Sequence, residues 1–234
     1  MPSRLVILVA ALAATLVLTV AAAEPAGDAA KPDAEGFISL FSGKDLVGWT
    51  VRSGTAAYKA EDACIVGTTV EGSSNTFLCT DKEYGDFELL FEVKCDPALN
   101  SGVQIRSHAY EKDTVVEGKT ARTHKAGRVY GLQCEIAGSP NAGNFYDEAR
   151  RGKMLDDFSA KPDAQKAYKA GEWNSYRIVA KGDHIQSWIN GIACADFKDA
   201  ADAKGFIGLQ VHGIAKGKGP YEVRWRNLRL RELK

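Results

Sequence analysis

The chain is predicted to be all-β, an antiparallel β-sandwich, on three observations. Short stretches of period-two alternation between apolar and polar residues follow one another along most of its length. Turn signals punctuate them, among them Ser42-Gly43-Lys44-Asp45, Gly182-Asp183 and Asn190-Gly191, the last being the strongest short-range hairpin signal present. Helical patterning is weak and confined to residues 147–158 and 163–169. Many antiparallel strands joined by tight turns favour a sandwich over a closed barrel.

The amino end sets the compartment. Arg4 precedes an uncharged run over residues 5–20, and Ala21-Ala22-Ala23 leads to Glu24-Pro25. Basic start, apolar centre and small residues at the cut make a secretory signal peptide over residues 1–23, with an uncleaved membrane anchor as the alternative reading. The mature protein is then expected to be secreted or periplasmic, with no membrane partner after cleavage. Residues 24–35 read as a short disordered lead-in, and residues 36–234 as one β-sandwich domain of about 200 residues, enough for one sizeable core.

The chain balances 30 Lys and Arg against 30 Asp and Glu, which gives no ground for nucleic acid or an anionic membrane surface as a partner. Cys64, Cys79, Cys95, Cys134 and Cys194 all survive cleavage. An odd count leaves at least one unpaired within the chain, and Cys64 with Cys79, flanking a Gly/Ser/Asn-rich turn, is the first pair expected to bridge. No zinc spacing and no neighbouring base marks any of them as a ligand or nucleophile.

Strands are predicted at residues 36–41, at 46–51 around Trp49, at 58–67 and at 76–80. They continue at 87–95 and 101–107, and after a polar loop over 108–127 the next is 129–136. Residues 173–181 and 184–189 form a hairpin, the Asn190-Gly191 turn opens another, and 206–212 and 221–230 finish the fold. No dinucleotide or phosphate-binding glycine pattern, no His-Glu-x-x-His and no Gly-x-Ser-x-Gly is present.

Three of these strands repeat one design. Gln104 and Arg106 alternate with Val103 and Ile105; Gln133 and Glu135 with Leu132, Cys134 and Ile136; Gln210 and His212 with Leu209 and Val211. In one sheet, their polar sides would form a floor of amides, a carboxylate, a guanidinium and an imidazole, the chemistry that binds sugar hydroxyls. Residues 141–153 add Tyr146, Asp147, Glu148, Arg150 and Arg151 nearby. Trp49, Trp173, Trp188 and Trp225 are candidate stacking platforms, with the β-core as the commoner fate of such residues. His108, His124 and His184 lie in or beside loops and turns and are given no role.

Read whole, the chain resembles the 3-keto-disaccharide hydrolase domain family. The resemblance rests on GFISLFSGKDLVGW at residues 36–49, DFELLFEVK at 86–94, NSGVQIRS at 100–107 and YGLQCEI at 130–136. It continues with GEWNSYRIVAKGDHIQSWING at 171–191, GFIGLQVHG at 205–213 and VRWRNLRL at 223–230, and the chain is similar to members carrying FYDEARRG after the Glu135 strand. It implies a jelly-roll sandwich of the concanavalin A-like lectin/glucanase type. It also implies an exported enzyme acting on a small carbohydrate, an oxidised di- or oligosaccharide or glycoside with a ketone at C3. Such a reaction needs a base at C2, donors at the enolate oxygen and an acid for the leaving group. The expected assignments are Glu135 and His212 as base and acid and Arg106 as the enolate clamp. Gln104, Gln133 and Gln210 would orient the sugar, with Tyr146, Asp147, Arg150 and Arg151 at the rim. No cofactor is required. A Ca²⁺ or Mg²⁺ ion at Asp147, Glu148 or Glu135 stays open, although no ligand spacing argues for one. Two alternatives stand beside this reading: a conventional glycosidase pairing Glu135 with Asp147 or Glu148, and a non-catalytic carbohydrate-binding module.

Overall fold

The computed structural model describes residues 31–117, 121–138 and 140–234; the predicted export segment and most of the lead-in lie outside them. The strands are β1 (Ile38–Ser39), β2 (Trp49–Arg52), β3 (Ala57–Glu61), β4 (Cys64–Thr68), β5 (Thr76–Thr80) and β6 (Phe87–Cys95). Then come β7 (Ser101–Ala109), β8 (Thr114–Val116), β9 (Arg122–His124), β10 (Val129–Ile136) and β11 (Phe145–Glu148). A short helix, α1 (Pro162–Lys166), precedes β12 (Asn174–Lys181), β13 (His184–Ile189), β14 (Ile192–Lys198), β15 (Phe206–Val211) and β16 (Glu222–Glu232).

All the strands but β8 and β9, which pair with each other, form two antiparallel sheets packed face to face. The eight-stranded sheet runs β14-β13-β12-β6-β16-β4-β3, with β1 also on β16; the six-stranded sheet runs β11-β10-β7-β15-β5-β2. Alternation decides which side faces inward. On β6, Phe87, Leu89, Phe91, Val93 and Cys95 are buried in the core while Lys94 is exposed. Val103, Ile105, Leu132, Cys134, Ile136, Leu209 and Val211 of the six-stranded sheet meet Ile65, Leu89, Val93, Trp225 and Leu230 of the other in one cluster. Each such aliphatic side chain contributes roughly 1.5–3 kcal/mol by leaving water.

The hairpins at Gly182-Asp183 and Asn190-Gly191 form as the sequence indicates, the latter with φ of 51° and 81° at its two central residues, the twist that suits a two-residue turn. Residues 58–67 are not one strand but the β3–β4 hairpin, because Asp62 and Ala63 both take positive φ, 50° and 55°, and reverse the chain. The 108–127 region carries the β8–β9 ribbon. Residues 147–158 are not helical. Residues 145–148 pair with β10, satisfying that strand's outer edge, and positive φ at Ala149 and Gly152 turns the chain away afterwards.

The expected Cys64–Cys79 bridge is absent, and all five cysteines are buried thiols. Cys64 lies on β4 in the larger sheet and Cys79 on β5 in the smaller one, so the two strands are not hairpin partners. The tryptophans are not platforms at the groove. Trp225 is fully buried and Trp49 nearly so, its indole nitrogen donating to the Leu40 carbonyl at 2.9 Å. Trp173 and Trp188 belong to the outer side of the eight-stranded sheet, under Arg226 and Arg177.

Candidate active site

Strands β10, β7 and β15 are neighbours in the six-stranded sheet, so the three polar strand faces identified in the sequence share one floor. Register then fixes who meets whom. Glu135 pairs with Gly102, which pairs with Gln210; Gln133 pairs with Gln104, which pairs with Gly208; Tyr146 of β11 flanks Gln133. Gly102 must lack a side chain, because a Cβ there would lie 2.6 Å from Cγ and Cδ of Gln133, whose amide leans across it. The resulting groove encloses about 300 Å³ and is lined by Asn75, Asn100, Gln133, Glu135, Tyr146, Glu148, Met154, Gln210 and His212.

Glu135 is the group whose chemistry the groove changes most. It is buried, and a directional chain of bonds fixes one of its oxygens. The Ser107 hydroxyl donates to Gln104 Oε1 at 2.5 Å, Gln104 Nε2 to Gln133 Oε1 at 3.0 Å, and Gln133 Nε2 to Glu135 Oε1 at 2.7 Å. From the opposite sheet Tyr176 donates to the Glu135 carbonyl at 3.3 Å, tying down the backbone. Burial pushes the Glu135 carboxyl up to about 7, against the bonds from Gln133 and Asn100, which lower it, while the charge of Glu148 adds to the rise. A carboxylate poised near neutrality is suited to taking and returning a proton.

Glu148 is the second carboxylate of the groove and differs in kind. Burial raises its pKa too, but Arg128, His212 and Asn75 oppose the shift, and Arg128 Nη2 pairs with its Oε1. His212 Nδ1 lies 2.7 Å from the carbonyl of Gly213. A carbonyl only accepts, so Nδ1 carries the proton and Nε2 is the nitrogen left for other partners. Gln210 is fully buried beside Gly102 and Phe77, and neither its amide nitrogen nor its oxygen has a partner among the described residues. A buried amide with both ends unpaired costs stability unless a ligand or water completes it.

Arg106 is not part of this floor. From Ile105 to His108 strand β7 spends one residue more than β10 does from Leu132 to Tyr130, and the same shift occurs against β15. The extra residue is a bulge at Arg106, with φ of 45°, and it breaks the alternation there. The guanidinium turns away, donating to the carbonyls of Gly85 at 2.8 Å and Gly182 at 2.7 Å and to Asp86 Oδ1 at 2.8 Å. It clamps loops of the opposite sheet. Asp147 is likewise no rim residue: fully buried, it accepts from Arg150 Nε at 3.0 and 3.1 Å and pairs with Arg151. Those two arginines line an adjoining cleft, and Gln104 stands behind Gln133 in the bonded chain. His108, given no role, faces Asp202 at 3.3 Å. Asn75, Asn100, Met154 and Arg128 were missed, and no local pattern distinguishes them. Among the described residues no group of three or more His, Cys, Asp or Glu is placed to hold a metal ion, and Asp147 is committed to arginines.

A family model described as the 3-keto-alpha-glucoside-1,2-lyase-like domain matches residues 36–231. The chain belongs to this family. Among solved structures it is similar to a protein of Parabacteroides distasonis provisionally named a glycosyl hydrolase, at 22% identity and a TM-score of 0.56, covering 86% of this chain and 95% of that one. It is also similar to the carbohydrate-binding module CBM66 of Bacillus subtilis, at 14% identity and a TM-score of 0.50, covering 79% and 95%. A third is a galectin-like protein of unknown function from Bacillus subtilis, at 12% identity and a TM-score of 0.54, covering 79% and 89%. At these identities the family member shares the sandwich fold with all three. Comparison with curated proteins gives no match.

Proposed function

We propose that the groove is the active site of an exported enzyme that cleaves 3-keto-glycosides by elimination and hydration. The observation that carries this reading is Glu135, a carboxylate held by amides with no cation paired to it, its pKa raised to about 7, on the floor of a groove. The family description and the carbohydrate associations of the similar structures support a sugar as the ligand.

A ketone at C3 makes the C2 proton acidic. Glu135 takes that proton, the C2–H electrons form the enolate and the charge moves to the C3 oxygen. Collapse of the enolate breaks the bond from C1 to the aglycone oxygen, which leaves with a proton from an acid, and a 1,2-unsaturated 3-ketone remains. Water then adds at C1 while C2 regains a proton, giving net hydrolysis. The unpaired Gln210 amide is a donor for a sugar oxygen in the groove, and His212, with Nδ1–H held by the Gly213 carbonyl and a second proton on Nε2, is the candidate acid: it gives the Nε2 proton to the leaving group and regains one from the water that adds at C1. Arg106 has no part in this scheme, since its donors are spent on the loops below.

The test offers the purified protein a 3-keto-glucoside labelled with deuterium at C2 and, separately, the unoxidised glucoside. Aglycone release from the keto compound with loss of label to water is expected. Release from the unoxidised glucoside with the label retained would mean a two-carboxylate glycosidase using Glu135 and Glu148. Binding without release from either would mean a carbohydrate-binding module.

A further inference from the structure

We infer that the cleft beside the groove is a subsite for an anionic group on the leaving-group part of the substrate, a carboxylate, sulfate or phosphate. The inference rests on the lyase reading for the identity of the neighbouring site. The cleft is a cavity of about 550 Å³, bounded by Arg122, His124, Arg128, Arg150, Arg151 and Lys153. Tyr146 and Glu148 line both it and the groove, so a two-unit ligand seated over Glu135 extends into it.

The balance of charge decides what such a cleft can take. Arg150 is held from behind: its Nε bonds Asp147, and its Nη1 and Nη2 reach Asp202 at 3.2 and 2.8 Å. Arg151 is held by Asp147 and, at 2.6 Å, by Asp199. Their two positive charges face three carboxylates, Asp147, Asp199 and Asp202, so this wall offers no free positive charge. The remaining cations are not neutralised in this way. Arg122 and Lys153 form no ion pair among the described residues, and Arg128 gives one nitrogen to Glu148 while its buried Nη1 has no partner. Burial lowers the pKa of His124, and the nearby charges of Arg128 and then Arg122 lower it further. Against this stands Glu117, the one other acid in the lining, which is exposed and follows Val116, the β-ladder partner of Arg122. Free guanidinium and ammonium donors grouped around an unpaired buried N–H are suited to an oxyanion, which would accept from several at once. A neutral sugar unit would gain no charge-assisted bond from them.

The experiment compares two 3-keto-glucosides of matched size, one released as 4-hydroxybenzoate and one as its neutral amide, 4-hydroxybenzamide. The expected result is a kcat/KM roughly tenfold higher for the carboxylate at low salt. That ratio should fall towards one in 0.5 M salt, an added concentration at which screening extends over about 4 Å, and in the double variant Arg122→Gln with Lys153→Gln. Inorganic phosphate and inorganic sulfate, titrated as competitors, show which oxyanions the cleft accepts. A ratio near one in the unmodified protein, or one the double variant leaves unchanged, overturns the subsite. If neither compound is cleaved, calorimetric binding of the two unoxidised glucosides reads the same preference without turnover. Preference without cleavage keeps the anionic subsite and removes the lyase reading, whereas cleavage without preference does the reverse.

Discussion

The two outer faces of the sandwich are built from the same alternating strands and end in opposite electrostatic states. On the eight-stranded sheet most of the strand glutamates are answered by arginines. Glu88 pairs with Arg177 at 2.6 Å and Arg231 at 2.5 Å, Glu92 with Arg226 at 2.5 Å, and Arg224 with Glu61 and Glu222. Guanidinium groups also cover both indoles, Arg177 over Trp188 at 4.2 Å and Arg226 over Trp173 at 4.0 Å. A cavity of about 720 Å³ on this face, lined by Trp188, Arg177 and Glu92 among others, is larger than the groove, but its charged groups are already satisfied. The six-stranded floor is left incomplete: among the described residues Glu135 has amides and no cation, and the Gln210 amide has no partner.

Glu88 and Glu135 make the contrast quantitative. Both residues are largely covered, at 7% and 6% exposure, but the Glu135 carboxyl is set much more deeply than that of Glu88, so burial acts on it more strongly. Burial pushes both upward. For Glu88 the bonds and charges of Arg177 and Arg231 outweigh it and the pKa falls below its ordinary value; for Glu135 nothing of that strength opposes it and the pKa reaches about 7. Arginine pairing turns a strand carboxylate into structure. Its absence, in a groove, leaves one available for proton transfer. Arg231 Nε is an unpaired atom on the structural face, but the same side chain is anchored through its other nitrogens, whereas Gln210 has no anchored end.

The largest expected effect separates the faces directly. Glu135→Gln should lower turnover of a 3-keto-glucoside by about 10²- to 10⁴-fold, and Glu92→Gln should leave it within a few-fold. The same variant carries a stability signature of opposite sign. Because the folded pKa of Glu135 lies above the ordinary 4.5, the folded state holds its proton more tightly than the unfolded chain. Wild-type stability from this group is therefore highest below about pH 4.5 and declines as pH rises to about 7. Glu135→Gln removes the decline, so its Tm should exceed that of the wild type above pH 7, by an amount on the order of 1–3 kcal/mol in unfolding free energy. A variant less stable than wild type at pH 8 would mean that the carboxylate is stabilised by something other than the amides.

Arg106 comes next, as a stability effect. Arg106→Ala removes the clamp on Gly85, Gly182 and Asp86 and leaves buried carbonyls unpaired, a loss of about 2–4 kcal/mol readable in urea unfolding. Folded variant should retain kcat/KM within a few-fold. A selective collapse of kcat with unchanged stability would return Arg106 to the site.

That residue also shows where sequence reading stops. Val103-Gln104-Ile105-Arg106 alternates without a flaw, and a one-residue bulge leaves no local mark in composition, so the polar face was legible through Gln104 and misleading one step later. Gln133, Glu135, Gln210 and His212 sit on unbroken alternation, and all four line the groove as read. In residues 145–148 Tyr146 and Glu148 do alternate with Phe145 and Asp147, but Asp147 with Arg150 and Arg151 has the i, i+3 and i, i+4 spacing of a helix face, which masked the strand. Asn75 and Asn100 reach the groove, and Arg128 reaches Glu148 at its edge, only because of sheet order, a long-range property that no short window contains.

A smaller effect is expected at Gln210. Gln210→Leu replaces an amide with no partner by an apolar side chain of similar size beside Phe77. Unfolding free energy should stay the same or rise slightly, while kcat/KM falls about tenfold, the worth of a hydrogen bond made only to the ligand. On the eight-stranded face, the analogous removal of Gln186, whose amide already donates to Asp196 at 2.9 Å, should alter neither quantity by more than a few tenths of a kcal/mol. A destabilised Gln210→Leu protein with normal activity would make the amide part of the fold and place the ligand elsewhere.

The finest test shifts a pH profile without removing the base. With Glu135 near 7, kcat/KM for the keto substrate should rise with pH through neutrality as the carboxyl ionises. Gln133 donates to that carboxyl at 2.7 Å and favours its charged form. Gln133→Leu therefore destabilises the carboxylate, and the rising limb should move to higher pH by about half a unit to one unit, the worth of one bond to a charged acceptor divided between two donors. Gln104→Leu should move it the same way and less, since Gln104 acts only by holding the Gln133 amide in its orientation. The order of the two shifts is the informative quantity. A merely structural disturbance would lower activity equally at every pH, and a limb that moves downward would require a different titrating group from Glu135.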